Sequence, residues 1–229
     1  MPLPTPLEQE AVLLSLRVAA VAVAASLPPA VLVAWLLARP VLPGRLVLAA
    51  FVYLPLVLPP VVTGYLLLLG FGRHGPFGAW LEAHLGLVFA FRWTGAALAA
   101  AVMAFPLMVR AIQLGFDSVD RRLEQAAATL GAPPLAVFAT VSLPLAVPGI
   151  AAGALLGFAK SLGEFGATIT FVSNIPGETR TLPVAIYGLL QIPGGETAAG
   201  RLALLSVLLS LGGLAGSELI ARRLRAARP

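Results

Sequence analysis

Of 229 residues, 59% are hydrophobic and 11% are charged, whereas soluble domains are roughly 45–50% apolar and about 25% charged. The composition places the chain in lipid and leaves no stretch for a second, water-soluble domain. The formal charge of +5 is scattered beside apolar segments as topology signals, not gathered into a tract for nucleic acid, and the lack of cysteine excludes disulfides, thiolate catalysis and cysteine-held metals.

In chain order, Glu8 and Glu10 precede the first apolar run without a basic region before it, so no cleaved leader is expected. A first span is predicted over Ala11–Ala38, interrupted by Arg17 and by Pro28-Pro29. After the link "RPVLPGR" a second, uncharged span over Leu46–Phe71 completes a hairpin, with Pro55, Pro59 and Pro60 bending or locally unwinding it. Carbonyls freed by the Pro-Pro pair need partners or a cavity, so Thr63 and Gly64 mark either a gate or an ordinary kink.

Residues 72–85 are polar and glycine-rich, suiting a short surface or re-entrant helix, and a third span lies between Arg92 and Arg110. The stretch "RRLEQAAATLGAPPLAVFATVSLPLAVPGI" is a polar island. Asp117, Ser118 or Asp120 can cap a helix through it, Ala126, Ala127 and Ala128 allow close approach by another surface, and Gly131 with Pro133-Pro134 ends it. The expected product is a helix-turn knob projecting from the membrane, either a docking surface or a solvated loop whose alanines merely favour helix.

A fourth span is predicted from about Pro148 to Ile175. Its small residues Gly149, Gly153, Gly157 and Ser161 recur every fourth position, for packing either within one protomer or between two. Lys160, the only lysine, and Glu164 are four apart, stacking on one helix face as a deep ion pair that is either structural or part of a gate or pathway. Leu182–Ile192 reaches only ~16 Å as a helix and is too short to cross. The last span, Leu202–Leu219, leads into the basic tail "ARRLRAARP", with no appended regulatory domain expected. With five spans, nine arginines fall on one face and five on the other, which predicts an outside N-terminus and a cytoplasmic island and C-terminus.

The island resembles the loop of importer-type ABC permeases: Glu-Ala-Ala, three residues, Gly, nine residues, Ile, one residue, Leu-Pro. Gln125, Ala126, Ala127, Gly131, Val141, Leu143 and Pro144 stand at those positions, with Gln125 where the family has glutamate. "LPLVLPPVVTGY", "VSLPLAVPGI" and "KSLGEFGATI" are similar, more closely, to permeases for molybdate, across Glu10 to Arg223. The resemblance implies an all-α polytopic bundle of five spans with the type I ABC importer permease fold, a single permease domain over 1–229, and a coupling loop at about 116–145.

It also implies two copies of the chain in the cytoplasmic (inner) membrane, with two cytoplasmic ABC ATPase subunits and an external oxyanion-binding protein. ATP and magnesium would be bound by the ATPase, so this chain would carry no cofactor and no catalytic residue. Contact with the ATPase is expected from Leu123, Glu124, Gln125, Ala126, Ala127, Gly131, Ala132 and Leu135. The missing acid at 125 leaves either an amide contact or a transfer of the charge to Glu124, one residue and about 100° away. Molybdate is the expected cargo, with tungstate and sulfate as alternatives.

Two other classes fit less well. An ATP-independent carrier commonly shows internal repeats and several intramembrane ionisable groups, and here only one pair lies deep. An intramembrane enzyme needs a metal triad or nucleophile-base set, yet the only histidines, His74 and His84, fall in an external loop. The chain also contains no glycine-rich nucleotide-phosphate loop.

Overall fold

Thr5 opens the first helix with a capping box, its side chain accepting from the Glu8 amide while the Glu8 carboxylate accepts from the Thr5 amide, and Pro6 occupies the first turn. The computed structural model describes residues 5–39 and 43–226, of which 213–226 are described by backbone alone. Helix α1, Pro6–Leu37, runs through Pro28 and Pro29 without breaking, for a length of ~48 Å.

Next come α2 (Arg45–Val57), α3 (Pro60–Phe71), α4 (Pro76–Leu85) and α5 (Trp93–Asp117). They are followed by α6 (Arg121–Thr129), α7 (Pro134–Val137), a π-helical turn (Phe138–Ser142), α8 (Leu143–Leu162), α9 (Gly166–Val172), α10 (Leu182–Leu190) and α11 (Glu196–Ala226). Among the described residues the chain is all-helical.

Two expected spans change their ends, while the second takes the local unwinding its prolines allow, with α2 and α3 differing in direction by 113°. Pro59 and Pro60 supply no amide donors, and the residue before a proline is pushed to extended backbone, which Leu58 adopts at φ −71°, ψ 141°. The third span continues past Arg110 to Asp117. The fourth starts at Pro134 instead of about Pro148, passes through the π turn and stops at Leu162, so half of the polar island belongs to it.

Three helical stretches, α1, α5 and Pro134–Leu162, are long and apolar enough to cross a membrane, or four crossings if the α2–α3 pair is one broken span. The five expected crossings are thus not all distinguished. The last expected span falls in α11, whose side chains from 213 onward, tail arginines included, lie outside the described residues.

Helix α5 forms the axis of the bundle. One core joins Val18 and Ala22 of α1, Leu67 of α3, Ala96 and Ala100 of α5, and Phe171 of α9. A second joins Ala30, Ala34 and Leu37 of α1 to Met108, Val109 and Ile112 of α5 and Ala146 of α8. A third gathers Ala11, Leu182, Ala185 and Leu202 from α1, α10 and α11. Alanine dominates because contact in lipid comes from van der Waals packing at short interhelical distance.

The small stripe of α8 faces α5 of the same chain. A Cβ on Gly149 would lie 2.6 Å from the Gly115 Cα, and one on Gly153 would lie 2.6 Å from Ile112 Cγ1. A Cβ on Gly157 would lie 2.5 Å from Met108. Gln113 adds the polar tie, accepting from the Tyr53 hydroxyl (3.3 Å) and donating to the Leu37 carbonyl (3.4 Å), so α2, α5 and α1 are linked at one level.

Because Gly149 meets backbone and not a movable side chain, Gly149→Ala should force α5 and α8 apart and destabilise the chain by about 1–3 kcal/mol. A lowered melting temperature in detergent would register this. Gly200→Ala, at a helical position with open space around it, should be neutral or gain up to about 1 kcal/mol; equal melting of the two variants contradicts the packing account.

Candidate functional site

The knob is built by local chemistry. Asp120 caps α6 by accepting from the Arg122 amide at 2.9 Å. Gly131, at φ +86°, closes the helix: its amide bonds the Ala128 carbonyl (3.0 Å) while the Ala132 amide reaches the Ala127 carbonyl (3.1 Å), the paired bonds of a Schellman ending. Pro133 is extended and Pro134 begins the next helix. No residue of α6 is buried. Leu130 is 89% exposed, Leu135 78% and Leu123 50%, so three leucines stand uncovered around one turn, with Gln125 and Ala126 also exposed.

Glu124 turns the other way. Its carboxylate takes a bidentate pair from the Arg39 guanidinium at 2.7 and 3.0 Å, and the Ser142 hydroxyl donates to it as well. Arg121 donates to the Ala38 carbonyl at 3.3 Å. Burial pushes the Glu124 carboxyl up, but the Ser142 and Arg39 hydrogen bonds and the charges of Arg39 and Arg121 outweigh it and hold the group below the usual glutamate range. Trp35 stacks under Arg39 (5.0 Å) and meets Phe138 edge-on (4.9 Å). The side chain adjacent to the missing family acid is therefore occupied within this chain, and Gln125 is the one left free on the surface.

A second constellation lies where two interrupted helices cross. Lys160 and Glu164 do form an ion pair, yet not on one helix face as expected. Helix α8 ends at Leu162 with Gly163 as its cap, so Glu164 sits in the break, where its other oxygen accepts from the Ala167 amide at 3.1 Å and caps α9. The break in α2–α3 meets this one. A Cβ on Gly64 would lie 2.5 Å from the Ala167 carbonyl oxygen, and one on Gly166 would lie 2.8 Å from Pro60. The hydroxyls of Thr63 and Ser161 are buried without a hydrogen-bond partner.

At the opposite end from the knob, Glu8 pairs with Arg201 (3.0 Å) and Arg17 lies over the Trp93 ring (3.7 Å). Glu178 accepts from the Trp93 amide at 3.3 Å. A cavity of about 260 Å³ opens there among Glu8, Asn174, Arg180 and Arg201. His84 stacks on Trp80, and among the described residues no cluster of potential ligands could hold a metal.

The knob forms from neighbouring residues as its sequence suggests, whereas the crossing joins Thr63-Gly64 and Lys160–Glu164, which the sequence places in separate spans, and the ties of Arg39 and Ser142 to Glu124 are not predicted by the sequence. The only trace of their role in the sequence is that Arg39 is the first charge after a long apolar run.

Two outcomes test these assignments. Lys160→Ala should lower detergent melting by leaving Glu164 unpaired, and the double variant Lys160→Met/Glu164→Gln should recover much of it; identical melting of single and double variants would show the pair to be dispensable. The Glu124 carboxyl is lowered in the folded chain, so its stabilising contribution is complete above the ordinary glutamate value of about 4.3 and is lost as pH falls through the lower folded value. The protection factors of the α6 amides, exchange normalised to the intrinsic rate at each pH, should then stay constant from pH 7 to about 5 and fall only below the ordinary value; a fall above pH 5 rules out Glu124 as the anchor.

Residues 30–226 match the model of the family described as binding-protein-dependent transport system inner membrane component. The chain is 59% identical over 215 residues to the molybdenum transport system permease protein ModB of Escherichia coli K12, covering 94% of each chain. It is 53% identical to ModB of Haemophilus influenzae over 219 residues, covering 96% of each. In fold it is similar, at a TM-score of 0.75 and 18% identity over 96% of this chain and 80% of the other, to a chain of a bacterial ABC transporter involved in alginate import. With a family model matched over most of its length and full-length relatives above half identity, the chain belongs to the binding-protein-dependent transport inner membrane components and, within them, to the molybdenum-system permeases.

Proposed function

We propose that this chain is the membrane-spanning subunit of an ATP-driven importer that carries molybdate inward from an external binding protein, with ATP hydrolysed by a separate subunit. The near full-length likeness to molybdenum-system permeases is the observation that carries this reading. Two copies pair in the cytoplasmic membrane, each with one ATPase below. Five crossings, α1, α2–α3, α5, the Pro134–Leu162 stretch with α9, and α11, leave the N-terminus outside. The charge bias supports this orientation, since Arg39, Arg45, Arg110, Arg121 and Arg122 flank the knob side.

On that side Leu123, Gln125, Ala126, Ala127, Gly131, Ala132 and Leu135 enter a cleft of the ATPase. The exposed leucines support it, because an uncovered apolar turn on a polar protrusion suits a partner better than water. At mid-bundle, contact between Gly64 and Ala167 seals the route, and opening it requires α3 and α9 to separate. The charge of Lys160 is neutralised by Glu164, so a dianion passing Thr63 and Ser161 meets hydroxyl donors and no deep electrostatic trap. Sulfate and tungstate share the charge and tetrahedral shape, which makes the external binding protein the main point of discrimination.

Reconstituted with its ATPase and binding protein, the chain should support ATP hydrolysis stimulated by molybdate and tungstate more than by sulfate; a larger sulfate response would reassign the cargo, and uptake without ATP would refute the importer. The double variant Leu130→Asp/Leu135→Asp should reduce co-purification of the ATPase by about tenfold or more, the loss expected when apolar anchors at a buried contact are replaced by charge.

A further inference from the structure

We infer that Glu124 is a positioning residue that ties the knob to two separate helices of the bundle, α1 through Arg39 and α8 through Ser142, and so carries the ATPase stroke into the membrane. The inference rests on the importer reading and adds the path by which force leaves the knob.

The knob has few ways to pull on anything. Helix α6 buries no residue, so packing does not clamp it. Its backbone joins α5 through Ser118–Asp120 and α7 through Leu130–Pro133, and neither link is helical. Among the described residues the side-chain ties are Glu124 to Arg39, Glu124 to Ser142, and the single bond from Arg121 to the Ala38 carbonyl. Of these, the bidentate guanidinium–carboxylate pair fixes orientation as well as distance, so it resists rotation of α6 where a single hydrogen bond would swivel.

Both far ends of the junction lead somewhere. Arg39 follows the end of α1, beside Leu37, whose carbonyl holds Gln113 of α5. Ser142 is fully buried and closes the π turn at the foot of α8. Such a turn interrupts the regular hydrogen-bond ladder, so a sideways pull at Ser142 rotates the helix above it. That helix carries the glycine stripe against α5 and, at its far end, Ser161 and Lys160 beside the crossing of α8–α9 with α3. One carboxylate thereby reaches both the hub helix and the seal.

The same geometry accounts for the neighbouring glutamine. Adjacent positions on a helix point about 100° apart, so an acid at 124 serves the bundle while position 125 faces outward. Arg39 is further held from below by Trp35, itself against Phe138, which keeps the guanidinium aimed at the knob.

The test separates docking from transmission. In the reconstituted complex, Glu124→Gln removes the charge and Glu124→Asp keeps it but shortens the reach to both partners. Each should retain wild-type amounts of co-purified ATPase, whereas anion imported per ATP hydrolysed should fall by roughly fivefold or more, the range of a lost coupling energy. Arg39→Lys, which keeps charge without bidentate geometry, should fall between these and wild type. If the Glu124 variants give poor yield, Ser142→Ala offers the same readout with the ion pair intact and should lower the import ratio more mildly. Wild-type import per ATP in the Glu124 variants overturns the inference, as does loss of the ATPase from Glu124→Gln, which would place the carboxylate at the partner. Failure of the unmodified chain to bind any ATPase would instead refute the importer reading itself.

Discussion

Backbone contact between α5 and α8, tight enough where Gly115 meets Gly149 to leave no room for a Cβ on either, is the constraint from which the arrangement follows. In lipid the hydrophobic effect does not drive one helix onto another, so association depends on how closely the backbones can come. Glycine and alanine along both faces permit that approach, and α1 adds Ala30 and Ala34 to the same core. With α5 clasped on two sides, the interrupted helices α3 and α9 take the remaining flank near its N-terminal half, where Leu67 and Phe171 join the other core. The crossing of the two breaks is thus held by the rigid trio while being composed of short, separable pieces.

Those pieces differ in how their backbone groups are satisfied. At Pro59-Pro60 there are no amide donors to place, and the Leu54 carbonyl is still reached by the Leu58 amide. At Gly163–Phe165 the break exposes the start of α9, and Glu164 answers the Ala167 amide while Lys160 balances its charge. A buried carboxylate that caps one helix and pairs with the end of the preceding one makes the break a defined joint, because moving α9 away from α8 would strip Glu164 of one partner or the other. Leaving either charge unpaired at depth is costly, so the two segments shift together or not at all.

What could be read in advance was local. Asp120 as a cap, Gly131 as a left-handed ending and the four-residue glycine period each depend on neighbours within one or two turns, and each has the geometry that its spacing suggested. The apolar stretches of α1 and α5 were equally plain, as was the start of α5 after Arg92, although its far end was not, because Arg110 sits on the surface of a continuing helix instead of marking its end. Depth of breaking was hidden too: proline signals a bend, but its angle depends on what the second piece packs against, here Ala167 and Thr170. Arg39 and Glu124 are 85 residues apart, and no periodicity links positions that meet only through the fold.

The placement of charge in the bundle fits a conductor of anions better than a store for them. Glu8, Glu82, Glu124 and Glu164 each have a basic partner. A fixed, unpaired carboxylate on the route would repel a dianion, and a bare ammonium at mid-depth would hold it. Neutralising Lys160 with Glu164 removes both extremes at that depth. The same reasoning fits the internal use of the knob's acids, Asp120 as the cap of α6 and Glu124 as the partner of Arg39. A carboxylate paired with Arg39 presents little free charge to a partner, so what the knob offers on its surface is exposed leucine and the amide of Gln125. Contacts of that kind depend on shape more than on ionic strength.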